Sequence, residues 1–324
     1  MSHLSKFMVG LLCFFAYSSG LFAKEELRVG YLPILDHLPL VVSHSRDNDK
    51  YELIDVKPRK FKSWGRITGA FNNGSIDAAF ILSPLAMDMY NKKKNLKVIL
   101  LAHRDGSAIT VKVGSDIKSA EGLKGKKIAI PHQLSTHKAL LSQYLINSGL
   151  TLDDVNTSVI APPHMEKAMG KGAIDAFIVA EPFGAKSQVN GVGNILVMTN
   201  EIESDHLDCI VIISQKYLES NRDGVKEWVA SLIEAGVYID QDKLNNGSSN
   251  VADIASQKQY MGYDRKIVID GLQTPSDRIS FSNLEPSMSG FEKVLGMSNQ
   301  AGMIETVELS EFIDASVFND VSKN

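Results

Sequence analysis

The chain alternates between short apolar runs and longer segments whose apolar residues recur at helical spacing. Residues 26–32, 98–102 and 127–131 are examples of the short runs, and their length and turn-like borders are typical of buried strands. Residues 223–245 show the helical spacing. Within residues 26–102 the order strand, helix, strand, helix, strand predicts a mainly parallel sheet with right-handed crossovers and flanking helices. The pattern therefore predicts an α/β fold.

One unit of this pattern occurs twice, at a constant offset of about a hundred residues. The matching pairs are Gly74 with Gly172, Ile76 with Ile174, Asp77 with Asp175, and Pro84 with Pro182. Each copy has the order of a helix end, a glycine cap, a buried strand and a proline-started helix or turn. Solenoid repeats are shorter, at roughly 20–50 residues, so this repeat predicts two similar α/β lobes. The aspartates stand at the strand starts, opposite the expected cleft, and we assign them a structural role.

Two segments predict where the chain passes between the lobes. Residues 103–113 and 206–214 each begin with polar residues and continue as an apolar strand. We therefore expect residues 24–107 and 213–324 to form lobe 1, and residues 108–212 to form lobe 2. Two strands that cross between lobes are the hinge geometry of domain closure, which places a cleft between the lobes.

Residues 1–23 have the order of a secretory signal peptide. Lys6 precedes a run of about ten apolar residues, and small residues follow before Ala23 and a charged stretch. The apolar run is too short to span a bilayer, which requires roughly 20 residues. We expect cleavage after Ala23 and export to the periplasm.

Composition restricts the classes of partner. The sequence is 44% hydrophobic and 22% charged, as in ordinary soluble domains. Its formal net charge of −4 provides no basic excess for nucleic acid or acidic lipid, so neither is an expected partner. Removal of residues 1–23 would leave Cys209 as the only cysteine, which excludes an intramolecular disulfide. This usage favours a bacterial periplasm over a disulfide-rich extracellular setting.

The expected ligand site lies beyond the carboxyl ends of the parallel strands, where open α/β sheets bind ligands. Six of the eight histidines lie in or beside the loops at those ends. Helices that begin after Ser63 and Ser135 would present free backbone N–H groups to a small anion, and Trp64 would wall the cleft. The predicted ligand contacts are Asp36, His37, Trp64, Ser83, Asp105, Gln133, Ser135, Thr136, Glu181 and His206.

The sequence carries no catalytic or nucleotide-binding motif. It lacks a Gly-x-Ser-x-Gly elbow and a glycine-rich phosphate loop. No histidine pair has the close helical spacing of a preformed zinc site, and Cys209 has no thiol partner. His132 and His137, separated by a short loop, are a weak metal signal. We therefore expect a binding protein without catalytic residues, metal or cofactor, in which histidines hydrogen-bond an anion.

A series of short motifs runs through most of the chain after residue 23. They are residues 29–33, 63–64, 74–78, 123–129, 172–176 and 181–182. In this order they resemble the periplasmic substrate-binding proteins of ABC importers for nitrate, bicarbonate, sulfonates and taurine, a family that includes thiamine-pyrimidine-precursor binders. The resemblance implies a two-lobed fold of the type II, or Venus flytrap, class that closes on a small ligand and delivers it to an ABC permease at the inner membrane. It also implies pocket roles for Trp64 and His206. We expect a monomer.

Alternatives to a nitrate- or sulfonate-type importer component stay open at this point. They are a thiamine-pyrimidine-precursor binder, a periplasmic sensor that docks to a receptor, and a pyrimidine synthase of the same fold. The synthase class relies on a cysteine-rich segment, which a lone Cys209 does not supply. Ligand charge is open as well: the histidines, helix N-termini and Arg104 favour an anion, whereas Asp36 and Glu181 would repel one. A zwitterion or a protonated oxoacid would satisfy both sets.

Overall fold

Two five-stranded sheets, each flanked by helices, make up most of the computed structural model, which describes residues 24–322. The predicted signal segment, residues 1–23, lies outside the described residues. In chain order the strands are β1 (Glu25–Tyr31), β2 (Ile54–Lys60), β3 (Ala78–Leu82), β4 (Leu96–Leu101), β5 (Arg104–Asp105), β6 (Ser107–Lys112), β7 (Lys127–Ile130), β8 (Asn156–Val159), β9 (Ala176–Ala180), β10 (Gly193–Met198), β11 (Cys209–Ser214) and β12 (Ile279–Ser280).

Helices cover the sheets and supply most of the C-terminal third. In chain order they are α1 (Leu38–Asp47), α2 (Trp64–Asn72), α3 (Ser83–Lys93), α4 (Thr136–Ile146), α5 (Pro162–Gly170), α6 (Phe183–Val189), α7 (Thr199–Ile202), α8 (Gln215–Ser220), α9 (Arg222–Asn246), α10 (Ser249–Ala255), α11 (Arg265–Gln273), α12 (Met288–Gln300), α13 (Leu309–Phe312) and α14 (Ser316–Val321). Within residues 24–322, none of these helices has both the length and the apolar character needed to cross a bilayer.

The two sheets share one strand order and one exception to parallel pairing. The first sheet has the order β2-β1-β3-β11-β4, and the second has the order β8-β7-β9-β6-β10. In the first, β1 pairs in parallel with β2 and β3, whereas β11 is antiparallel to both of its neighbours. In the second, β7 pairs in parallel with β8 and β9, whereas β6 is antiparallel to both of its neighbours. The prediction of two mainly parallel, helix-flanked sheets is confirmed.

Each antiparallel strand arrives from the other half of the chain. Strand β6 follows the first-sheet strands β1 to β4 in sequence but pairs in the second sheet, and β11 follows the second-sheet strands but pairs in the first. An antiparallel strand begins at the edge of the sheet where its parallel neighbours end. The starts of β6 and β11 therefore lie at the carboxyl ends of the two sheets.

The repeated unit supplies the central strands β3 and β9, and the residues that its two copies share have the same structural role in both. Gly74 and Gly172 adopt φ values of 75° and 71°, which suit glycine at a helix end. The Asp77 carboxylate accepts a hydrogen bond from the backbone N–H of Arg28 (3.0 Å), and Asp175 accepts one from Lys127 (2.8 Å). Both aspartates thus tie the start of the central strand to its neighbour, as predicted.

The two aspartates differ in one respect that can be measured. Asp77 also receives two hydrogen bonds from the Arg28 guanidinium, at 2.8 and 2.6 Å, in a partly buried pair. Within residues 24–322, the Asp175 carboxylate accepts only the N–H of Lys127. We expect Asp77→Ala to lower the free energy of unfolding by about 1–3 kcal/mol and Asp175→Ala by about 1 kcal/mol or less. Urea unfolding of the two variants measures the difference. Equal losses would show that the guanidinium contributes nothing.

The helical spacing of residues 223–245 corresponds to one long helix, α9. Gly247 and Ser248 adopt φ values of 56° and 63° and turn the chain directly after α9. The next helix, α10, therefore begins at Ser249, and the last two helices, α13 and α14, are separate short elements. The Ser135 hydroxyl caps α4 by accepting the N–H of Lys138 (3.2 Å), whereas the Ser63 side chain makes no such bond to α2.

Candidate functional site

Polar side chains from both sheets meet where the parallel strands end. Ser83 begins α3 after β3 of the first sheet, and Thr136 begins α4 after β7 of the second sheet; their hydroxyl oxygens lie 3.3 Å apart. The backbone N–H of Ser83 donates to the carbonyl of Asp208, just before β11 (2.9 Å). These side chains are fully buried. The carboxyl ends of the two sheets thus enclose a polar region between them.

The first-sheet side of this region holds a cluster of Asp36, His103 and Cys209. Asp36 lies in a 3-10 turn after β1, His103 follows β4, and Cys209 begins β11. The Asp36 Oδ2 atom lies 3.2 Å from His103 Nε2 and 3.6 Å from Cys209 Sγ. All three residues are fully buried. Three separate strands therefore deliver one oxygen, one nitrogen and one sulfur to a single point.

A second cluster joins the sheets directly. His137 of α4 places Nε2 3.2 Å from Asp208 Oδ2 and 2.9 Å from the Ser107 hydroxyl, which donates to the same carboxylate oxygen at 3.2 Å. Ser107 begins β6, and Asp208 immediately precedes β11. The network therefore connects the beginnings of the two antiparallel strands.

Two aromatic rings, His37 and Trp64, form a wall beside the first cluster. The His37 ring packs edge-on against Trp64, with centroids 5.8 Å apart, and against Phe80 at 5.3 Å. Its Nδ1 atom lies 3.0 Å from the backbone of Leu32. Trp64 stands in the first turn of α2 and is buried. The loop after β1 and the start of α2 are thereby held together.

The site retains polar atoms that no protein group in residues 24–322 satisfies. They are Asp36 Oδ1, His37 Nε2, Trp64 Nε1, His103 Nδ1, His137 Nδ1, His206 Nε2 and Asp208 Oδ1. A buried polar group without a partner costs about 1–3 kcal/mol. A concentration of such atoms at the ends of two sheets is suited to a small ligand with several donors and acceptors.

Burial and neighbouring charge shift the ionisation of the first cluster. Burial raises the pKa of Asp36, although His103 opposes this effect. For His103, burial lowers the pKa, but the carboxylate of Asp36 at hydrogen-bond distance outweighs burial and the net pKa is raised. Burial, assisted by Asp36, raises the pKa of Cys209. The Asp36–His103 pair can thus exchange a proton or carry complementary charges.

Two of the other buried histidines, His37 and His137, favour the neutral form. Burial places the pKa of His37 well below its usual value, and burial also lowers the pKa of His137 despite the opposing effect of Asp208. A neutral imidazole offers one donor and one acceptor. The walls of the site can therefore serve both acceptor and donor groups of a ligand.

Glu181 was predicted to contact the ligand, which would require a free carboxylate oxygen at the site. Its carboxylate forms a fully buried ion pair with Arg278, through a hydrogen bond from Nη2 to Oε1, and its Oε2 accepts the N–H of Ala185 at 3.0 Å. Its carbonyl accepts the N–H of Leu35 at 2.8 Å. Burial raises the pKa of Glu181, and Arg278 opposes that shift. Both carboxylate oxygens are thus engaged by protein, and Glu181 joins the end of β9 to the C-terminal segment.

Four other predicted contacts lie at the margin of the site. His206 Nδ1 lies 2.8 Å from the Asp105 carboxylate and 2.9 Å from the carbonyl of Glu203. The contact between His206 and Asp105 thus joins the two crossing segments. The Ser135 hydroxyl is engaged in capping α4 and in a bond to His132. Gln133 is exposed in the turn before α4. The structure therefore brings together Asp36, His37, Trp64, Ser83 and Thr136 and places Asp105, Gln133, Ser135 and His206 around them.

Five residues of the two clusters were absent from the predicted contacts: His103, Ser107, His137, Asp208 and Cys209. The two histidines carried a usable signal, because both stand in segments that follow parallel strands. Ser107 and Asp208 carried no such signal. The rule that ligands bind beyond the carboxyl ends of parallel strands does not cover residues at the start of an antiparallel strand. Arg278 lies 97 positions after Glu181 in the sequence. No strand or helix pattern near Arg278 indicates that the two residues pair.

The fold is that of the periplasmic binding proteins, as solved structures show. A ligand-binding component of an ABC-type import system from Staphylococcus aureus with zinc bound has a TM-score of 0.84 at 22% identity, covering 93% of this chain and 100% of that one. The nitrate-binding protein NrtA of Synechocystis PCC 6803 has a TM-score of 0.84 at 18% identity, covering 93% and 89%. The alkanesulfonate-binding protein SsuA of Xanthomonas axonopodis pv. citri bound to MOPS has a TM-score of 0.74 at 19% identity, covering 90% and 99%.

Residues 22–255 match the NMT1-like family, and the chain belongs to that family. Among curated relatives, the nitrate/nitrite binding protein NrtA of Nostoc sp. is 25% identical over 267 residues, which cover 76% of this chain and 60% of the relative. The nitrate import ATP-binding protein NrtC of Synechocystis sp. is 26% identical over 275 residues, covering 79% and 40%. The chain thus spans about 60% or less of the length of these relatives.

The structural neighbours include an enzyme as well as binding proteins. The desulfurization enzyme DSZB has a TM-score of 0.67 at 13% identity, covering 93% of this chain and 99% of its own. At that identity the likeness concerns the fold alone, and one fold supports both binding and catalysis. The fold alone therefore does not define the function of this chain.

Proposed function

We propose that this chain is the solute-binding component of an ABC importer, which captures a small polar solute between its two sheets. The observation that carries the proposal is the buried polar region at the meeting of the sheet ends, with its unsatisfied atoms on Asp36, His37, Trp64, His137 and Asp208. The nitrate- and sulfonate-binding relatives support the same class. The proposed location is the periplasm, and the proposed partner is an inner-membrane permease.

The proposed solute combines an anionic group with a hydrogen-bond-donating group. The N-termini of α2 and α4, at Trp64 and Thr136, favour negative charge, and the indole N–H of Trp64 adds a donor. Asp36 and Asp208 each offer an unpaired carboxylate oxygen to a donor or cation. An aminosulfonate of the taurine class meets both demands, whereas nitrate meets only the first.

The lobe boundaries and the monomeric state stay predictions. Residues 24–107 and 213–324 are proposed to move as one lobe, and residues 108–212 as the other, about the crossing segments. Residues 209–212 pair in the first sheet as part of β11, so they are proposed to move with the first lobe. The contact of Ser83 with Thr136 would then form only when the lobes close on a solute. Solute binding would make the particle more compact, which small-angle scattering with and without solute measures.

Tryptophan fluorescence tests the proposed solute class. The sequence contains two tryptophans, Trp64 and Trp228, and we expect a saturable change in emission, at one solute per chain, from the one at the sheet ends. The panel contains nitrate, bicarbonate, taurine, an alkanesulfonate and hydroxymethylpyrimidine. A response to taurine or the alkanesulfonate supports the proposal, and a response to the pyrimidine alone favours the thiamine-precursor alternative. Absence of any response, with an unrelated compound retained in native mass spectrometry, would overturn the solute class.

A further inference from the structure

The Asp36, His103 and Cys209 cluster has the composition and spacing of a metal site. Its three potential ligand atoms all lie within 4.8 Å of one another, and all three residues are buried. In tetrahedral zinc sites, bonds of roughly 2.0–2.3 Å place ligand atoms about 3.3–3.6 Å apart. The observed separations from Asp36 Oδ2 are 3.2 Å to His103 Nε2 and 3.6 Å to Cys209 Sγ. Two of the three separations thus match a tetrahedral site, and the third, between His103 and Cys209, lies within 4.8 Å.

The hydrogen bonding of His103 is incomplete without a cation. Its Nε2 atom faces both the backbone N–H of Cys209 and the Asp36 carboxylate, each at 3.2 Å. A ring nitrogen either donates or accepts, so one of these neighbours is unsatisfied in either tautomer. Asp36 Oδ1 is buried and also has no hydrogen-bond partner among residues 24–322. A cation would place positive charge against the carboxylate and the ring nitrogen at the same time.

We propose that Asp36, His103 and Cys209 bind a divalent transition-metal ion of the zinc class. Mixed nitrogen, sulfur and oxygen ligands suit zinc and its neighbours, whereas magnesium and calcium prefer oxygen alone. Three protein ligands leave a fourth position for water or another molecule. Sequence spacing predicted no metal because the three ligands stand at the ends of separate strands, far apart in the chain.

The proposed metal site does not depend on solute or on closure. Asp36 follows β1, His103 follows β4, and Cys209 begins β11, and all three strands belong to the first sheet. The second sheet contributes no ligand. Metal binding is therefore expected in the solute-free chain, so a failure of the importer proposal and a failure of the metal proposal are separate results.

Cobalt(II) provides a spectroscopic test under reducing, oxygen-free conditions. We expect one Co²⁺ per chain, with a thiolate-to-cobalt charge-transfer band in the near ultraviolet that Zn²⁺ abolishes by displacement. Cys209→Ser should remove the band, and Asp36→Asn and His103→Gln should each weaken affinity at least tenfold. The control His164→Gln, on an exposed residue of α5, should change neither. Binding without the band, or a band that survives Cys209→Ser, would overturn the proposal.

X-ray absorption of the zinc-loaded wild-type chain gives a second test that needs no variant. We expect one sulfur scatterer at about 2.3 Å and nitrogen or oxygen scatterers at about 2.0–2.2 Å. A shell without sulfur would assign the ion to another part of the surface and reject the site. Circular dichroism of each metal-free variant distinguishes a lost ligand from a lost fold, and solute titration in the presence of a chelator reports on the importer proposal alone.

Discussion

Replacement of Arg278 by methionine is expected to lower the free energy of unfolding by about 3–5 kcal/mol, the usual cost of breaking a buried ion pair by removing one partner. Arg278 and Glu181 are both fully buried, so the variant would leave a carboxylate with no counter-charge in a region closed to water. Glu181 also accepts the N–H of Ala185, but that single bond cannot replace a guanidinium. Urea unfolding monitored by circular dichroism measures the loss.

Two further variants show whether burial causes the effect. Arg265 pairs with Asp253 at 2.6 Å, with both side chains largely exposed, and Arg265→Met should change stability by about 1 kcal/mol or less. The double variant Glu181→Leu with Arg278→Met removes both charges, and it should recover most of the loss. If Arg278→Met proves no more harmful than Arg265→Met, the ion pair does not hold the end of β9 to the C-terminal segment.

Trp64→Ala is expected to produce the second large effect, on both stability and solute affinity. Trp64 is 2% exposed and packs against His37, and truncation of a buried aromatic residue typically costs 3–5 kcal/mol. Under the proposed function the indole also walls the solute site and directs Nε1 into it. Loss of such a central aromatic contact should weaken solute binding about 30-fold or more, as measured by calorimetry.

Phenylalanine substitutions separate the ring from its polar atom. Trp64→Phe retains most of the packing but removes the N–H, and we expect about a tenfold loss of affinity with a smaller loss of stability. Trp228 is a matched control, since it is fully buried in α9 and its Nε1 also has no hydrogen-bond partner in the described part of the chain. Trp228→Phe should leave solute affinity unchanged. Wild-type affinity in Trp64→Phe would mean that the solute does not use this donor.

The fold could be predicted because the residues that end helices and form strands indicated the same two α/β units as the internal repeat. Gly74 and Gly172 require positive φ where helices end, and the apolar strands that follow are long enough only to cross a buried sheet. The matched partners of Asp77 and Asp175 show that the two units are built alike. Helix ends were less predictable, because left-handed turns such as that at Ser248 depend on what the next helix packs against.

The candidate site was predictable only in part. Asp36, His37 and Trp64 follow parallel strands, where the general rule looks for ligands. Asp208 and Cys209 stand at the start of an antiparallel strand. Their position depends on where the chain returns from the second sheet to the first, and the sequence pattern locates that point only approximately. Glu181 also stands after a parallel strand, yet its carboxylate is engaged by Arg278, a partner that no local pattern indicates. Long-range pairing of this kind needs the three-dimensional arrangement.

The contact between Ser107 and Asp208 has a consequence for the architecture of the chain. The segment between them contains the whole second sheet except Ser107, the first residue of β6. Its two ends are joined by one hydrogen bond of 3.2 Å. An inserted segment whose ends coincide adds little loop-closure cost to the host around it. The second half is therefore arranged as an insertion into the first, with its entry and exit side by side. A short linker from residue 106 to residue 209 would let the first sheet keep all five of its strands.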